Sequence, residues 1–182
     1  MLIQSITDLD FDAHELLEVE FDTVEDLNAN FGRFTELFSG PKGDFLSCNF
    51  PFPTPEPITE EEKAFVSSVP KGIKYVIGYL KGDHKNKWHA MAHASYYLDE
   101  SRKNFIHSMY DALSEDEKQE LRNDLLQMGY REDRLIDECG AFAVSESYNE
   151  DGSRVEDEFS DIESDVLEGK GDKLDVGCWS CG

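Results

Sequence analysis

Basic residues are scarce: the 182-residue chain has 17 Lys and Arg against 40 Asp and Glu, a formal net charge of −23. That balance argues against nucleic acid as a partner, because phosphate contacts need Lys and Arg. It favours solubility and cationic partners instead. Cysteine is also sparse. Cys48, Cys139, Cys178 and Cys181 are too few and too scattered for a disulfide framework, and a reducing, cytoplasmic setting is expected. No apolar run approaches the length of a membrane span. The opening stretch MLIQSITDLDFDAHE has neither the basic nor the apolar region of a secretory signal. Internal repeats are absent. A hydrophobic fraction of 39 % is enough for one packed core and not for two.

What is there divides into a domain, residues 1–145, and an acidic C-terminal tail, residues 146–182. Between Glu146 and Asp175 there are twelve Asp or Glu and three Lys or Arg, a composition expected of a solvated, flexible segment that could dock a basic protein. Within the domain, LLEVEFDT predicts a strand and VEDLNANFGRFTELF a helix. Residues 41–60 hold five of the six prolines and read as an extended surface connector. Thr59, with Glu62 three residues on, has the form of a capping box for the helix that follows. IKYVIGYL, residues 73–80, is the clearest strand. After the polar turn KGDHKN come four helical segments. They cover about Lys87–Leu98, about Glu100–Leu113, Ser114 to a C-cap at Gly129, and a last one from near Arg131. The fold class is therefore α+β, a small sheet followed by a helical half.

Chemistry concentrates in KWHAMAHASYY, residues 87–97. His89 and His93 are four apart on a predicted helix, so their rings share one face, the spacing that two imidazoles need to bind one tetrahedral zinc. The spacing alone is a weak signal, since two histidines on a helix also occur as ordinary surface or core residues. Its setting adds weight: a buried-looking strand, a short polar turn, then the helix.

In that order the segment WHAMAHASYYLD resembles the active-site helix of the HExxH zinc metallopeptidases, the zincins, with Ala90 standing where the family has glutamate. The resemblance covers the strand 73–80, the helix 87–98 and the helix around Glu138, and leaves residues 1–60 unread. It implies a zincin-like fold, Zn2+ as cofactor, and His89 and His93 as ligands. Glu138, 45 residues after His93, would be the third ligand, with Cys139, Gly140 and Ala141 letting its helix pack closely on the histidine helix. Asp137 and Asp99 compete for that place, and Asp137 would alternatively orient a histidine. In the family the glutamate after the first histidine is the general base. The substrate would be a peptide or protein, and strand 74–80 an edge against which it pairs. Tyr96, Tyr97, Tyr130 and His107 are candidates for stabilising an oxyanion, with Tyr96 nearest in sequence to the metal face; His84 reads as a loop residue.

Three explanations of Ala90 stand open. The chain is a variant in which alanine has replaced the glutamate, or a pseudoenzyme with a structural metal, or a protein whose histidine pair is accidental. The first is preferred, because alanine removes the base and keeps both ligands. From a different class comes a non-enzymatic acidic interaction protein, DNA-mimicking or otherwise. The terminal CWSC, Cys178 to Cys181, is a lone C-x-x-C that could be redox-active, ligate zinc or do neither.

Overall fold

Tyr75, Ile77 and Tyr79 alternate with Val76, Gly78 and Leu80, and nearly every one of these residues is buried. A strand apolar on both faces belongs in the middle of a sheet. The computed structural model, which describes residues 2–4 and 15–146, places it there. The strands are β1 (Leu2–Gln4), β2 (Leu16–Phe21), β3 (Ser47–Pro51) and β4 (Tyr75–Leu80), in the order β1-β2-β4-β3. β4 runs parallel to β2, with Leu16 opposite Tyr75, and antiparallel to β3, with Asn49 opposite Ile77. The expectation that residues 74–80 offer a free edge is thus corrected. Both sides of β4 are used in pairing, and the outer strands of the described sheet are β1 and β3.

β3 itself lies inside the proline-rich stretch that reads as a connector. Cys48 and Phe50 enter the core on one face while Ser47 and Asn49 point to the other, a period of two that short flanking prolines obscure. Pro51 is tolerated because it ends an edge strand.

Helices cover both faces. On one side lie α1 (Val24–Leu27), a π-helical turn at Asn28–Gly32, α2 (Arg33–Ser39) and α3 (Glu60–Ser68). Their core is aromatic: Phe31 packs edge-on against Phe21, Phe50 and Phe65, with ring centroids 5.0, 5.2 and 4.5 Å apart. Gly78 is required here, since a Cβ would fall 2.5 Å from the Phe31 ring. The capping box of α3 forms as expected, and Glu62 also receives both Arg33 nitrogens at 2.7 Å.

On the other face lies α4 (His84–Leu98), followed by α5 (Glu100–Ala112), α6 (Glu115–Gln127) and α7 (Leu135–Glu146). α4 begins three residues earlier than the sequence suggests. Gly82, at φ +78°, turns the chain, and Asp83 caps the helix by accepting from the Asn86 N–H at 3.0 Å. His84 is accordingly helical, not a loop residue. Ser114 and Glu117 form the expected box, and Gly129 ends α6 region at φ +95°. α7 starts at Leu135 after a 3-10 turn at Glu132–Arg134, later than expected. Among the described residues no helix is long and apolar enough to cross a membrane. The acidic tail beyond residue 146, with Cys178 and Cys181, lies outside the described residues.

Candidate metal centre

α4 is fixed to the sheet by its small residues. Ala90, Met91 and Ala94 pack against Leu16, Tyr75 and Ile77. That contact sets the rotation of the helix and turns His89 and His93 toward α7, which carries Asp137 and Glu138 one after the other.

The result is a cluster of three ligand atoms. His93 Nε2 lies 3.2 Å from His89 Nε2 and 3.4 Å from Glu138 Oε2, and His89 Nε2 lies 3.8 Å from the same oxygen. A tetrahedral metal with ligands at about 2.0–2.2 Å would space its ligand atoms roughly 3.3–3.6 Å apart. The observed separations bracket that range. Glu138 is 1 % exposed, and its Oε2 is buried with no hydrogen-bond partner in the described structure. A buried carboxylate oxygen left without a donor is costly. A cation among these three atoms would satisfy it, so the residues present fit a metal.

The remaining nitrogens are held from behind. Asp137 Oδ1 sits 2.8 Å from His93 Nδ1, and the Ala141 backbone carbonyl hydrogen-bonds the His89 ring. Acceptors there favour protons on the far side of each ring, which leaves both Nε2 lone pairs directed at the common point. Asp137 is therefore placed to orient His93, and Glu138 stands where a third ligand could be. Asp99 is elsewhere, capping α5 through the Ser101 N–H at 2.8 Å. Gly140 does permit close helix packing, but against α5: a Cβ would lie 2.7 Å from Ile106 Cδ1.

The electrostatics of the two imidazoles diverge. Burial, then the charge of His93, brings His89 down to about 3. Burial also pulls His93 down, but Asp137 and Glu138 outweigh it and the ring ends raised to about 10. Without metal the two carboxylates favour the charged form of His93, and a cation bound between the three ligand atoms would take the place of that charge. Cys139, beside Glu138, is pushed up to about 11 by burial and stays a thiol at neutral pH.

The cluster opens into a cavity of 380 Å³, walled by Phe45 and Asn49 on one side and by Tyr130 and Phe142 on the other, with Lys85 also lining it. Of the candidate oxyanion residues, Tyr130 alone lines this cavity; it also hydrogen-bonds Glu138, and burial raises its pKa. Tyr96 is turned to His107, its hydroxyl 2.9 Å from Nε2, and neither lines the cavity. Tyr97 packs at a tilt against Tyr75, ring centroids 4.9 Å apart, and is 48 % exposed. The sequence reading misses the wall formed by Ser39, Asn49 and Phe45, because nothing local connects residues 35–49 with a helix forty residues later. Comparison of the chain with protein-family models, with curated proteins and with solved structures found no match.

Proposed function

We propose that this chain has the plan of an HExxH-type, zincin-like zinc peptidase, with Ala90 at the position of the general base. The observation that carries the reading is the His89, His93 and Glu138 cluster, whose ligand atoms lie within 4.8 Å of one another and include a buried carboxylate oxygen with no hydrogen-bond partner among the described residues. Zinc bound there would polarise a scissile carbonyl and acidify water. The chain's own residues supply the rest. His89, His93 and Glu138 hold the ion, while Asp137 and the Ala141 carbonyl keep the imidazoles in the ligating tautomer. The outer edge of β3, next to the cavity, offers backbone groups to an extended peptide in the role first assigned to 74–80. Tyr130 replaces Tyr96 as the hydroxyl within the site. Ala90 offers a methyl group and no base, so the chain as it stands binds and orients without cleaving.

A second reading, a metal-binding protein with no hydrolytic role, is favoured by the complete burial of Ala90 in the apolar cluster with Tyr75 and Ile77. Elemental analysis and a pair of assays separate the two. One zinc per chain, with chelator-sensitive cleavage of a mixed peptide pool appearing in Ala90→Glu, supports the peptidase. One zinc without cleavage supports the second reading. Iron in place of zinc would point to the other chemistry that two histidines and a carboxylate serve. Absence of any metal would leave an acidic interaction protein.

A further inference from the structure

Asn49 stands on the edge strand with its side chain in the metal cavity, yet it is only 5 % exposed. Its Oδ1 accepts from the Tyr75 hydroxyl at 2.7 Å. Tyr75 is fully buried and has no other acceptor among the described residues, so its proton fixes which end of the Asn49 amide faces it. The Asn49 NH2 group is therefore directed away from Tyr75 and has no hydrogen-bond partner among the described residues. Ser39, at the end of α2, is 3 % exposed and lines the same cavity; its hydroxyl also lacks a partner there. Two polar side chains, each more than nine-tenths buried, thus present free hydrogen-bonding atoms to a cavity that the metal cluster shares.

We propose that Asn49 and Ser39 form a recognition pocket for a carboxamide side chain, that of glutamine or asparagine, in a bound peptide. This assignment rests on the peptidase reading of the site and adds a substrate class to it. Asn49 supplies donors to the carboxamide oxygen, and the Ser39 hydroxyl supplies an acceptor to its NH2. In the metal-free chain a carboxylate would enter a cavity lined by Asp44 and Glu138, with Lys85 the single Lys or Arg there among the described residues. An alkyl side chain of the same size would leave the Asn49 amide desolvated and unpaired, a loss of roughly ten- to a hundred-fold in affinity.

The absence of a base at Ala90 lets binding be measured at equilibrium. The probes are fluorescein-labelled octapeptides of Ala and Gly carrying one central Gln, or Met or Glu in its place. Their anisotropy would be followed with the full chain, zinc-loaded and chelator-treated. The Gln peptide is expected to bind at least ten-fold more tightly than the Met peptide, and in the chelator-treated chain more tightly than the Glu peptide as well. Ser39→Ala, which removes one hydroxyl from the wall, should narrow the gap between Gln and Met. Asn49→Ala leaves the Tyr75 hydroxyl unpaired and could unfold the chain, so it is paired with Tyr75→Phe, and melting curves check both proteins. The double variant should bring the Gln and Met peptides within about three-fold of each other. Equal binding of Gln and Met to the parent chain, a gap that survives both variants, or no peptide binding would each overturn the pocket. Zinc content and Ala90→Glu cleavage test the peptidase reading separately, since either can fail while the ratio of Gln to Met binding stands.

Discussion

Glu62 shows how one buried charge is kept in this acidic chain. Its carboxylate receives the Arg33 guanidinium twice at 2.7 Å and the Ile58 N–H at 2.6 Å, while the Thr59 hydroxyl accepts from its backbone N–H. The Arg33 hydrogen bond outweighs burial and holds its pKa below the ordinary carboxylate range. A carboxyl with a depressed folded pKa contributes stability that is fully present above its unfolded value, about 4.3, and is lost as pH falls through the folded value. Glu62→Gln should therefore lower unfolding free energy by about 2–3 kcal/mol at pH 7. The variant should also lose less stability than the parent between about pH 5 and pH 3. Urea denaturation at a series of pH values checks both; parallel curves for the two proteins would refute the role given to this carboxylate. Thr59 and Glu62 were legible as a cap in the sequence, because a capping box is local. The Arg33 partner was not, since it comes from another helix 29 positions earlier.

Elements follow the same division between local and distant causes. α4, α5 and α6 carry their caps in their own first turns, and the sequence reading finds them with small errors at the ends. Whether a strand is central or at an edge depends on neighbours that local pattern does not name. IKYVIGYL is apolar on alternate residues of both faces, and that double burial is the signal of a central strand, overridden above by the order of elements in the resemblance. Gly78 marks the consequence. The Phe31 ring occupies the space a Cβ would need, 2.5 Å from ideal, and Leu27 Cδ1 stands at 3.0 Å. Phe31 is itself locked between Phe21, Phe50 and Phe65, so it has little room to move. Gly78→Ala should destabilise the domain by about 1–3 kcal/mol through overpacking. Thermal unfolding followed by circular dichroism would read this as a fall of several degrees in Tm, and an unchanged Tm would mean the aromatic core is loosely packed.

At the scale of the molecule, the candidate centre joins two parts of the chain far apart in sequence. α4 belongs to the sheet through Ala90, Met91 and Ala94, while α7 is the final described helix and reaches the same point with Asp137 and Glu138. The histidine spacing and the acidic pair were legible because each is local to one helix; their meeting needed the resemblance to suggest it. The cavity wall of Ser39 and Asn49 had no such guide. A metal that binds this folded arrangement and not the unfolded chain must stabilise it, by about 2.7 kcal/mol when free metal exceeds Kd a hundred-fold. Zinc added to metal-free protein should raise Tm, and a chelator should reverse the rise. His93→Ala removes one ligand and also the partner of Asp137, so it should abolish the zinc-dependent shift whatever it does to the baseline stability. Hydrogen exchange locates the effect. If the metal ties α7 to α4, the amides of residues 135–146 should slow on zinc addition more than those of β2 or β4, whose protection the sheet already provides. Zinc that slowed exchange uniformly, or not at all in α7, would place the ion somewhere other than between His89, His93 and Glu138.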